Sequence, residues 1–234
     1  MTKSFSTMIL AAGFGKRMGS LTDKIPKPLI KINNTPLLKN CIDFLLNIGC
    51  KKIVINTHYQ HKLIFNFINE NYKPGNIFIS YESDILDTAG AVKNAINFFN
   101  EESILVTNSD IFLKKENEKD IIRLVKNFRT EHECKLLLAK KENSFGLINK
   151  SGDFYFNRKN QLKRWKNGEK ILYYSGIQMF NLNILNNFSS KKFSFNKVWD
   201  LQIDKNLLYG DIMKSNLYHV GDKEGLKKAI ESLD

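Results

Sequence analysis

The stretch MILAAGFGKRMGSLTDKIPKPLI, Met8 to Ile30, decides the fold. It opens as an apolar run of the kind that forms a buried strand, then collects Gly13, Gly15 and Gly19, the cations Lys16 and Arg17, and a Pro-Lys-Pro at Pro26, Lys27 and Pro28. A strand that runs into a glycine-rich turn presents backbone N–H groups at its carboxyl end, and such groups can approach phosphates. The glycine spacing is G-x-G-x-x-x-G, so the third glycine misses the dinucleotide-binding spacing by one residue, and the G-K-[ST] ending of a P-loop is absent. What remains is a loop flanked by Lys16 and Arg17, with Lys27 held between two prolines that restrict its backbone. A nucleoside triphosphate fits these groups. A glycine turn with exposed cations accounts for any one of them, but not for all of them directly after a buried strand.

Outward from this stretch the chain alternates strand and helix. Thr7 to Ala11 reads as a buried strand. Thr35 and Pro36 offer an N-cap and an N1 proline to a helix whose apolar residues (Leu37, Leu38, Cys41, Phe44, Leu45, Ile48) keep helical spacing, and Gly49 ends it. KKIVIN (Lys51 to Asn56) reads as a strand, HKLIFNFINE (His61 to Glu70) as a helix and NIFISY (Asn76 to Tyr81) as a strand. TAGAVKNAINFF (Thr88 to Phe99) is then a helix, and SILVTN (Ser103 to Asn108) a strand that stops at Ser109 and Asp110. A further helix is expected over Glu116 to Thr130. Strands separated by helices imply an α/β fold with a doubly wound, mostly parallel, Rossmann-like sheet, and ligands outside the carboxyl ends of its strands. From about Asn143 the texture changes to short strands with turn signals. Two helices, Asn196 to Lys205 and Lys223 to Leu233, flank a strand around Asn216 to Val220. This second half reads as a β-rich, substrate-facing lobe continuous with the first sheet.

With 234 residues, 42% of them hydrophobic and 26% charged, the chain can bury one large core. No window reaches the roughly 18 apolar residues of a membrane span, so no membrane partner is expected. A signal peptide is the rival reading of the opening apolar run, since Lys3 precedes it, but the glycine-rich loop that follows suits a strand. Cys41, Cys50 and Cys134 are odd in number and lack metal-ligand spacing, which suits buried free thiols in the reducing cytoplasm. The net charge of +12 raises nucleic-acid binding as a function class. Yet only five of the 36 basic residues are arginine, and the lysines are scattered rather than striped. Solvated faces and an anionic small substrate account for the charge, and no nucleic-acid partner is expected.

LAAGFGKRM (Leu10 to Met18) followed by PKPL (Pro26 to Leu29) resembles the signature of the sugar-1-phosphate nucleotidyltransferases, G-x-G-[TEK]-R-[LM] followed by P-K-P. The resemblance continues through ESDILDTAGAV (Glu82 to Val92), VTNSD (Val106 to Asp110), FGLI (Phe145 to Ile148) and YYSGIQMF (Tyr173 to Phe180). The short length, YSGIQ, FSFNKVWD and the terminal YHVGDKEGL are most similar to the bacterial N-acetylmuramate-1-phosphate uridylyltransferase group. The resemblance implies the nucleotide-diphospho-sugar transferase type of sheet with a small β-rich sugar-binding lobe. It also implies a single domain over residues 1–234, with 1–140 binding the nucleotide and 141–234 the sugar phosphate, present as a monomer or homodimer.

The implied reaction joins a nucleoside triphosphate (NTP) to a sugar 1-phosphate. A phosphate oxygen of the sugar attacks the α-phosphorus in line and expels pyrophosphate. The nucleophile is already an anion, in keeping with a sequence that shows no obvious Ser-His-Asp or Cys-His arrangement. The chemistry needs two polyanions held together by cations, backbone dipoles and Mg²⁺. By resemblance, Ala12, Gly13, Gly15, Lys16, Arg17 and Lys27 hold the triphosphate, Arg17 by bidentate contacts and Lys27 at the reacting centre. Glu82, Thr88, Ala89 and Gly90 form the nucleobase wall, and Asn108, Gly146, Ser175 and Gly176 contact the sugar. A strand-end turn at Asn108 and a bend at Gly146 are the plain alternatives. Arg17, Lys27 and Asp110 are the catalytic candidates. Asp110 is also the candidate metal ligand, because Mg²⁺ takes one or two carboxylates plus substrate phosphates; a turn or N-cap aspartate is its other reading.

Several residues depart from the family pattern. Ile85 stands for proline and Asp87 for glycine, which leaves the base open, and Ser109 also replaces a glycine. His219 stands where relatives carry a second metal-binding aspartate. Imidazole suits Mn²⁺ better than Mg²⁺. Either His219 takes the ligand position, a water bridges there, or one carboxylate suffices. Asp222 fits an N-cap. The cluster Lys163-Arg164-Trp165-Lys166 either faces a sugar phosphate or forms an exposed strand end, and Trp165 and Trp199 either stack on substrate or pack in the core. The expected activity is UTP plus N-acetylmuramate 1-phosphate giving UDP-N-acetylmuramate, a cell wall recycling step. The lactyl carboxylate of that sugar is a reason for extra positive charge at the sugar site. A mannose- or heptose-1-phosphate guanylyltransferase and a non-catalytic nucleotide- or sugar-phosphate-binding module are the alternatives.

Overall fold

In the computed structural model, which describes residues 4–129, 133–147 and 151–232, the opening apolar run is β1 (Phe5–Leu10), in the middle of the central sheet. Phe5 through Ile9 are all buried, as in a strand covered on both faces. A short pair follows, β2 (Lys31–Ile32) with β3 (Thr35–Pro36), then α1 (Leu37–Asn47), β4 (Cys50–Thr57), α2 (His61–Asn71), β5 (Ile77–Tyr81), α3 (Asp87–Asn94) and β6 (Ser103–Asn108). β1 pairs in parallel with β4 on one side and β6 on the other, and β4 pairs in parallel with β5. Their carboxyl ends therefore meet along one edge of the sheet, which gathers the glycine loop, Asn56, Glu82 and Asp110.

The remaining elements are β7 (Ile111–Phe112), α4 (Glu118–Asn127), β8 (Cys134–Lys140), β9 (Ser144–Phe145), β10 (Phe154–Phe156), β11 (Leu162–Arg164), β12 (Leu172–Asn181), α5 (Phe195–Asp204), β13 (Leu208–Ile212), β14 (Leu217–His219) and α6 (Lys223–Glu231). β12 runs antiparallel between β6 and β8, and β13 pairs in parallel with β8. The hairpin of β10 and β11 attaches at the start of β12. The register of β12 on β8 slips between Tyr174 and Gln178, a bulge that bends the strand at Ser175 and Gly176. Apolar clusters pack on the sheet, one including Ile9, Leu38, Ile42 and Ile55, the other Met8, Val54, Val106 and Phe180. The three cysteines are buried and free. Among the described residues no helix is long and apolar enough to cross a membrane.

A second, small sheet brings the end of the chain back to the site. β14 lies antiparallel to β7, so that His219 opposes Ile111, and Val220 N–H donates to the Asp110 carbonyl at 2.8 Å. The buried Asp120 carboxylate fixes the turn into β14 by accepting from the N–H groups of Lys214 and Ser215 and from the Ser215 hydroxyl, while it pairs with Arg123 at 2.7 Å.

Some element bounds differ from expectation for local reasons. Pro36 precedes α1 rather than opening it, because Thr35 and Pro36 pair with Lys31 and Ile32. The helix expected over Thr88 to Phe99 ends at Asn94, with a separate 3₁₀ turn at Ile96–Phe98. The helix expected over Glu116 to Thr130 is a 3₁₀ turn at Lys115–Asn117 followed by α4, and Thr130 lies outside the described residues, as do Ile148 and Leu233.

α3 touches the segment before α5 through backbone. Ala89 and Gly90 N–H both donate to the Phe193 carbonyl, at 3.1 and 2.9 Å, and a Cβ on Gly90 would collide with the Lys191 carbonyl oxygen. Backbone cannot step aside as a side chain can, so Gly90→Ala is expected to cost about 1–3 kcal/mol of stability, the range of overpacking. Urea denaturation checks this, and an unshifted midpoint would show that the 191–193 segment gives way freely.

Candidate active site

A cleft of about 510 Å³ opens along the carboxyl ends of β1, β4, β5 and β6. Its floor is the glycine loop, where Gly15 adopts a left-handed φ of 69° and precedes a 3₁₀ turn at Lys16–Thr22. The Thr22 hydroxyl donates to the carbonyls of Gly15 and Gly19, at 3.2 and 3.1 Å, and the Tyr59 hydroxyl donates to the Thr22 carbonyl at 3.0 Å. The strand ends are tied by a chain of buried hydrogen bonds. Ala11 N–H donates to Asn56 Oδ1 (2.7 Å), Asn56 Nδ2 to Glu82 Oε1 (2.8 Å), and Leu86 N–H to Glu82 Oε2 (3.0 Å). Glu82 thus braces the wall that it lines.

At the end of β6 sits the ion pair that organises the cleft. Lys27, held in a 3₁₀ turn between its two prolines, places Nζ 2.7 Å from Asp110 Oδ2 and 3.4 Å from the Gly221 carbonyl. Both side chains are mostly buried, 11% and 17% exposed. Asp110 Oδ1 is buried and makes no hydrogen bond among the described residues. His219 Nε2 lies 3.6 Å from Asp110 Oδ2. Its ring is enclosed by backbone: a Cβ on Gly221 would strike the imidazole, and one on Gly146, at a left-handed φ of 82°, would strike the His219 carbonyl. Burial by itself would raise the Asp110 pKa, but the positive charges that His219 (when protonated), Lys27 and Arg17 bring to it, with the Lys27 hydrogen bond, hold it well below the usual carboxylate range. Burial lowers the His219 pKa, with Lys27 and Arg17 acting in the same direction and Asp110 and a Gly146 backbone hydrogen bond against it.

A second cavity of about 270 Å³ adjoins the first and shares Asp87, Thr88 and Asn108 with it. The bulge of β12 contributes Tyr174 and Gly176, β11 contributes Arg164, and the start of α5 contributes Asn196 and Trp199, with His219 at the junction. Thr88 Oγ1 accepts from Phe195 N–H at 2.8 Å, which ties the wall of the first cleft to the helix that walls the second.

Of the residues singled out in the sequence, Ala12, Gly13, Gly15, Lys16, Arg17, Lys27, Glu82, Thr88, Asn108 and Asp110 line the first cleft, and Asn108, Thr88, Gly176 and His219 line the second. Four lie elsewhere. Ala89 and Gly90 stand behind the wall with their N–H groups bonded to the Phe193 carbonyl, so those groups do not face a base. Ser175 is buried, its hydroxyl oxygen accepting from Ile177 N–H at 3.3 Å, and Gly146 packs on His219 instead of lining a cavity. Asp87 takes a left-handed φ of 63°, which glycine adopts freely and aspartate tolerates, and Ser109 needs no such conformation. Asp222 caps α6, with Oδ1 accepting from Gly225 N–H at 2.8 Å. Trp199 is core, 7% exposed, with Nε1 donating to Gln178 Oε1. Asn56 lines the first cleft and Asn196 the second, and neither stood among the sequence candidates. Asn56 was signalled, as a polar residue closing an apolar strand on the ligand-bearing edge.

A family model described as nucleotidyl transferase matches residues 6–166. The chain is 32% identical over 118 residues to a D-glycero-α-D-manno-heptose 1-phosphate guanylyltransferase of Aneurinibacillus thermoaerophilus, covering 49% of this chain and 51% of that enzyme. It thus spans about half the length of that relative. A Campylobacter jejuni enzyme of the same name is 29% identical over 194 residues, 80% of this chain and 81% of that enzyme. An N-acetylmuramate α-1-phosphate uridylyltransferase of Caulobacter vibrioides is 27% identical over 232 residues, 96% and 95% of the two chains. Among solved structures, HddC from Yersinia pseudotuberculosis complexed with GMP-PN superposes with a TM-score of 0.77 at 21% identity, over 98% of this chain and 100% of that one, which establishes likeness of fold.

The ion pair predicts a pH dependence. Because the folded-state pKa of Asp110 is depressed, its stabilising contribution is complete above the ordinary carboxylate value of about 4 and is lost as pH falls below it. Lys27→Met leaves a mostly buried carboxylate without its nearest cation, so it should cost roughly 3 kcal/mol at neutral pH and shift the acid limb of the stability curve to higher pH. Urea midpoints between pH 3 and 8 measure both. Coincident limbs for the variant and the parent would mean that Lys27 does not hold the charge of Asp110.

Proposed function

The chain belongs to the nucleotidyl transferase family, and on that premise we propose that it transfers a nucleotidyl group from an NTP to a sugar 1-phosphate, releasing pyrophosphate. One observation carries the reading: two adjoining cavities share Asp87, Thr88 and Asn108, and Asp110, Lys27 and Arg17 line the first of them. The glycine loop with Lys16 and Arg17 suits the triphosphate, and the second cavity suits the sugar. A phosphate oxygen of the sugar forms its bond to the α-phosphorus while the bond from that phosphorus to the bridging oxygen of pyrophosphate breaks. Neither step needs a protein nucleophile or a general base. The side chains hold two anions in line and offset charge on the phosphoryl oxygens. Lys27 lies within reach of that centre, and Arg17 contributes a fork of donors. Residues 1–140 and 141–234 serve as the nucleotide and sugar-phosphate parts in this reading.

The family is generally dependent on a divalent metal. Asp110 fits such an ion, because its buried Oδ1 has no partner among the described residues and Mg²⁺ accepts few carboxylates when phosphates and water complete its shell. Among the described residues no group of three or more metal-binding side chains is assembled, so substrate oxygens would have to supply the rest. His219 stands close enough to Asp110 to join them, which would favour Mn²⁺. When bound, the ion would neutralise charge on the phosphoryl groups.

For the substrates, the relative matched along nearly its whole length supports UTP with N-acetylmuramate 1-phosphate. A second reading, GTP with a heptose or mannose 1-phosphate, is supported by the two guanylyltransferase relatives. Pyrophosphate release is the direct test, with Mg²⁺ or Mn²⁺, over four NTPs crossed with N-acetylmuramate, N-acetylglucosamine, glucose, mannose and heptose 1-phosphates. We expect release with a restricted pair and a loss of at least about 100-fold in Asp110→Asn, in the range seen when charge-stabilising groups are removed. Folded protein that binds a nucleotide but releases nothing with any pair would leave a binding module.

A further inference from the structure

The structure separates the four residues Lys163 to Lys166. Lys163 Nζ turns to the Ile203 carbonyl and Asn206 Oδ1, both at 2.9 Å. Trp165 Nε1 donates to the Glu169 carbonyl at 2.9 Å, and Lys166 lies 5.6 Å from the centre of the Tyr155 ring. Of the four, Arg164 alone lines the second cavity.

Its guanidinium is locked. Nε donates to Asp200 Oδ1 at 2.8 Å, and Nη2 donates to the Asn196 carbonyl and to Asn196 Oδ1, at 3.1 and 3.0 Å. The group lies 4.9 Å from the centre of the Phe154 ring and 5.6 Å from that of Trp199, whose own Nε1 is bonded to Gln178. Among the described residues Nη1 makes no hydrogen bond, so two N–H donors are left on a cation that cannot lose its charge and whose side chain is 35% exposed. The charge partner, Asp200, is 58% exposed, and solvent weakens such a pairing. In each of the two acidic residues of the same cavity, one oxygen is held by backbone: Asp87 Oδ1 accepts from Thr88 N–H at 2.6 Å, and Asp153 Oδ2 from Tyr174 N–H at 3.0 Å. The phosphate-handling cations Lys16, Arg17 and Lys27 line the other cleft, so Arg164 is not needed for the 1-phosphate.

We propose that Arg164 is a specificity-determining residue that binds an anionic substituent on the acceptor sugar, a carboxylate carried on the ring away from the 1-phosphate. The inference rests on the nucleotidyltransferase reading and narrows its acceptor class. A guanidinium fixed in advance loses little freedom on binding, and a charge-assisted hydrogen bond is about twice as strong as a neutral one. A neutral ring offers hydroxyls that water replaces at little cost, whereas a carboxylate gains a charge partner.

N-acetylmuramate and N-acetylglucosamine 1-phosphates make the comparison, since they share a ring and differ by the lactyl ether. With the preferred NTP at saturation, kcat/KM for the carboxylate-bearing sugar should exceed that for the neutral one by at least tenfold in the parent. The difference should appear in KM. In Arg164→Gln the ratio should fall to near one, and Arg164→Lys, which keeps a charge without the fork, should fall between. Preference for the neutral sugar in the parent, or a ratio that survives in Arg164→Gln, overturns the proposal while leaving a working transferase. Absence of turnover with every nucleotide and sugar phosphate removes the transferase reading and this proposal with it. If the glutamine variant does not fold, Arg164→Lys decides: an unchanged ratio in that variant overturns the proposal, and a reduced one supports it.

Discussion

Lys27 and Asp110 are 83 residues apart and meet at 2.7 Å. A carboxylate at the end of a buried strand is costly unless a cation reaches it, and this cation arrives from a loop whose two flanking prolines leave its backbone little freedom. The pair therefore fixes the glycine loop against the end of β6. It also fixes where the end of the chain must return, since Lys27 Nζ reaches the Gly221 carbonyl and Val220 N–H bonds to the Asp110 carbonyl. Three segments remote in sequence are thereby set around one carboxylate.

The first cleft is braced in a related way. Its wall and floor are joined by hydrogen bonds from Ala11 through Asn56 and Glu82 to Leu86, all with donors and acceptors matched. Inside a protein an unmatched polar group is expensive, so such a chain specifies one arrangement. In the first cleft, Asp110 Oδ1 is a buried atom that finds no hydrogen-bond partner among the described residues.

The second cavity depends on packing that spans the whole molecule. The bulge in β12 turns Tyr174 and Gly176 toward it, and α5 is held in place by the Thr88 hydroxyl oxygen at its N-terminus. Arg164 then closes one side by joining β11 to α5. The cleft and the cavity are thus coupled through short polar contacts as well as through the sheet.

Much of this was legible in the sequence. The alternation of strands and helices through Asn108, the glycine loop after β1, Asp110 just past a strand end and the cap at Asp222 are local features, set by periodicity, turn chemistry and capping within a few residues. Because parallel strands bring their carboxyl ends to one edge, the position of the first cleft follows from that order. Other features could not be read locally. The apolar run of β8 does not announce a strand until β12 and β13 pair with it, and β13 likewise needs β8. Whether the N–H groups of Ala89 and Gly90 face a ligand was decided by Phe193, about a hundred residues on. The turn of Arg164 into the cavity and of Lys163 away from it was decided by α5. These outcomes depend on contacts between residues far apart along the chain, and such contacts exist only once the layers have packed.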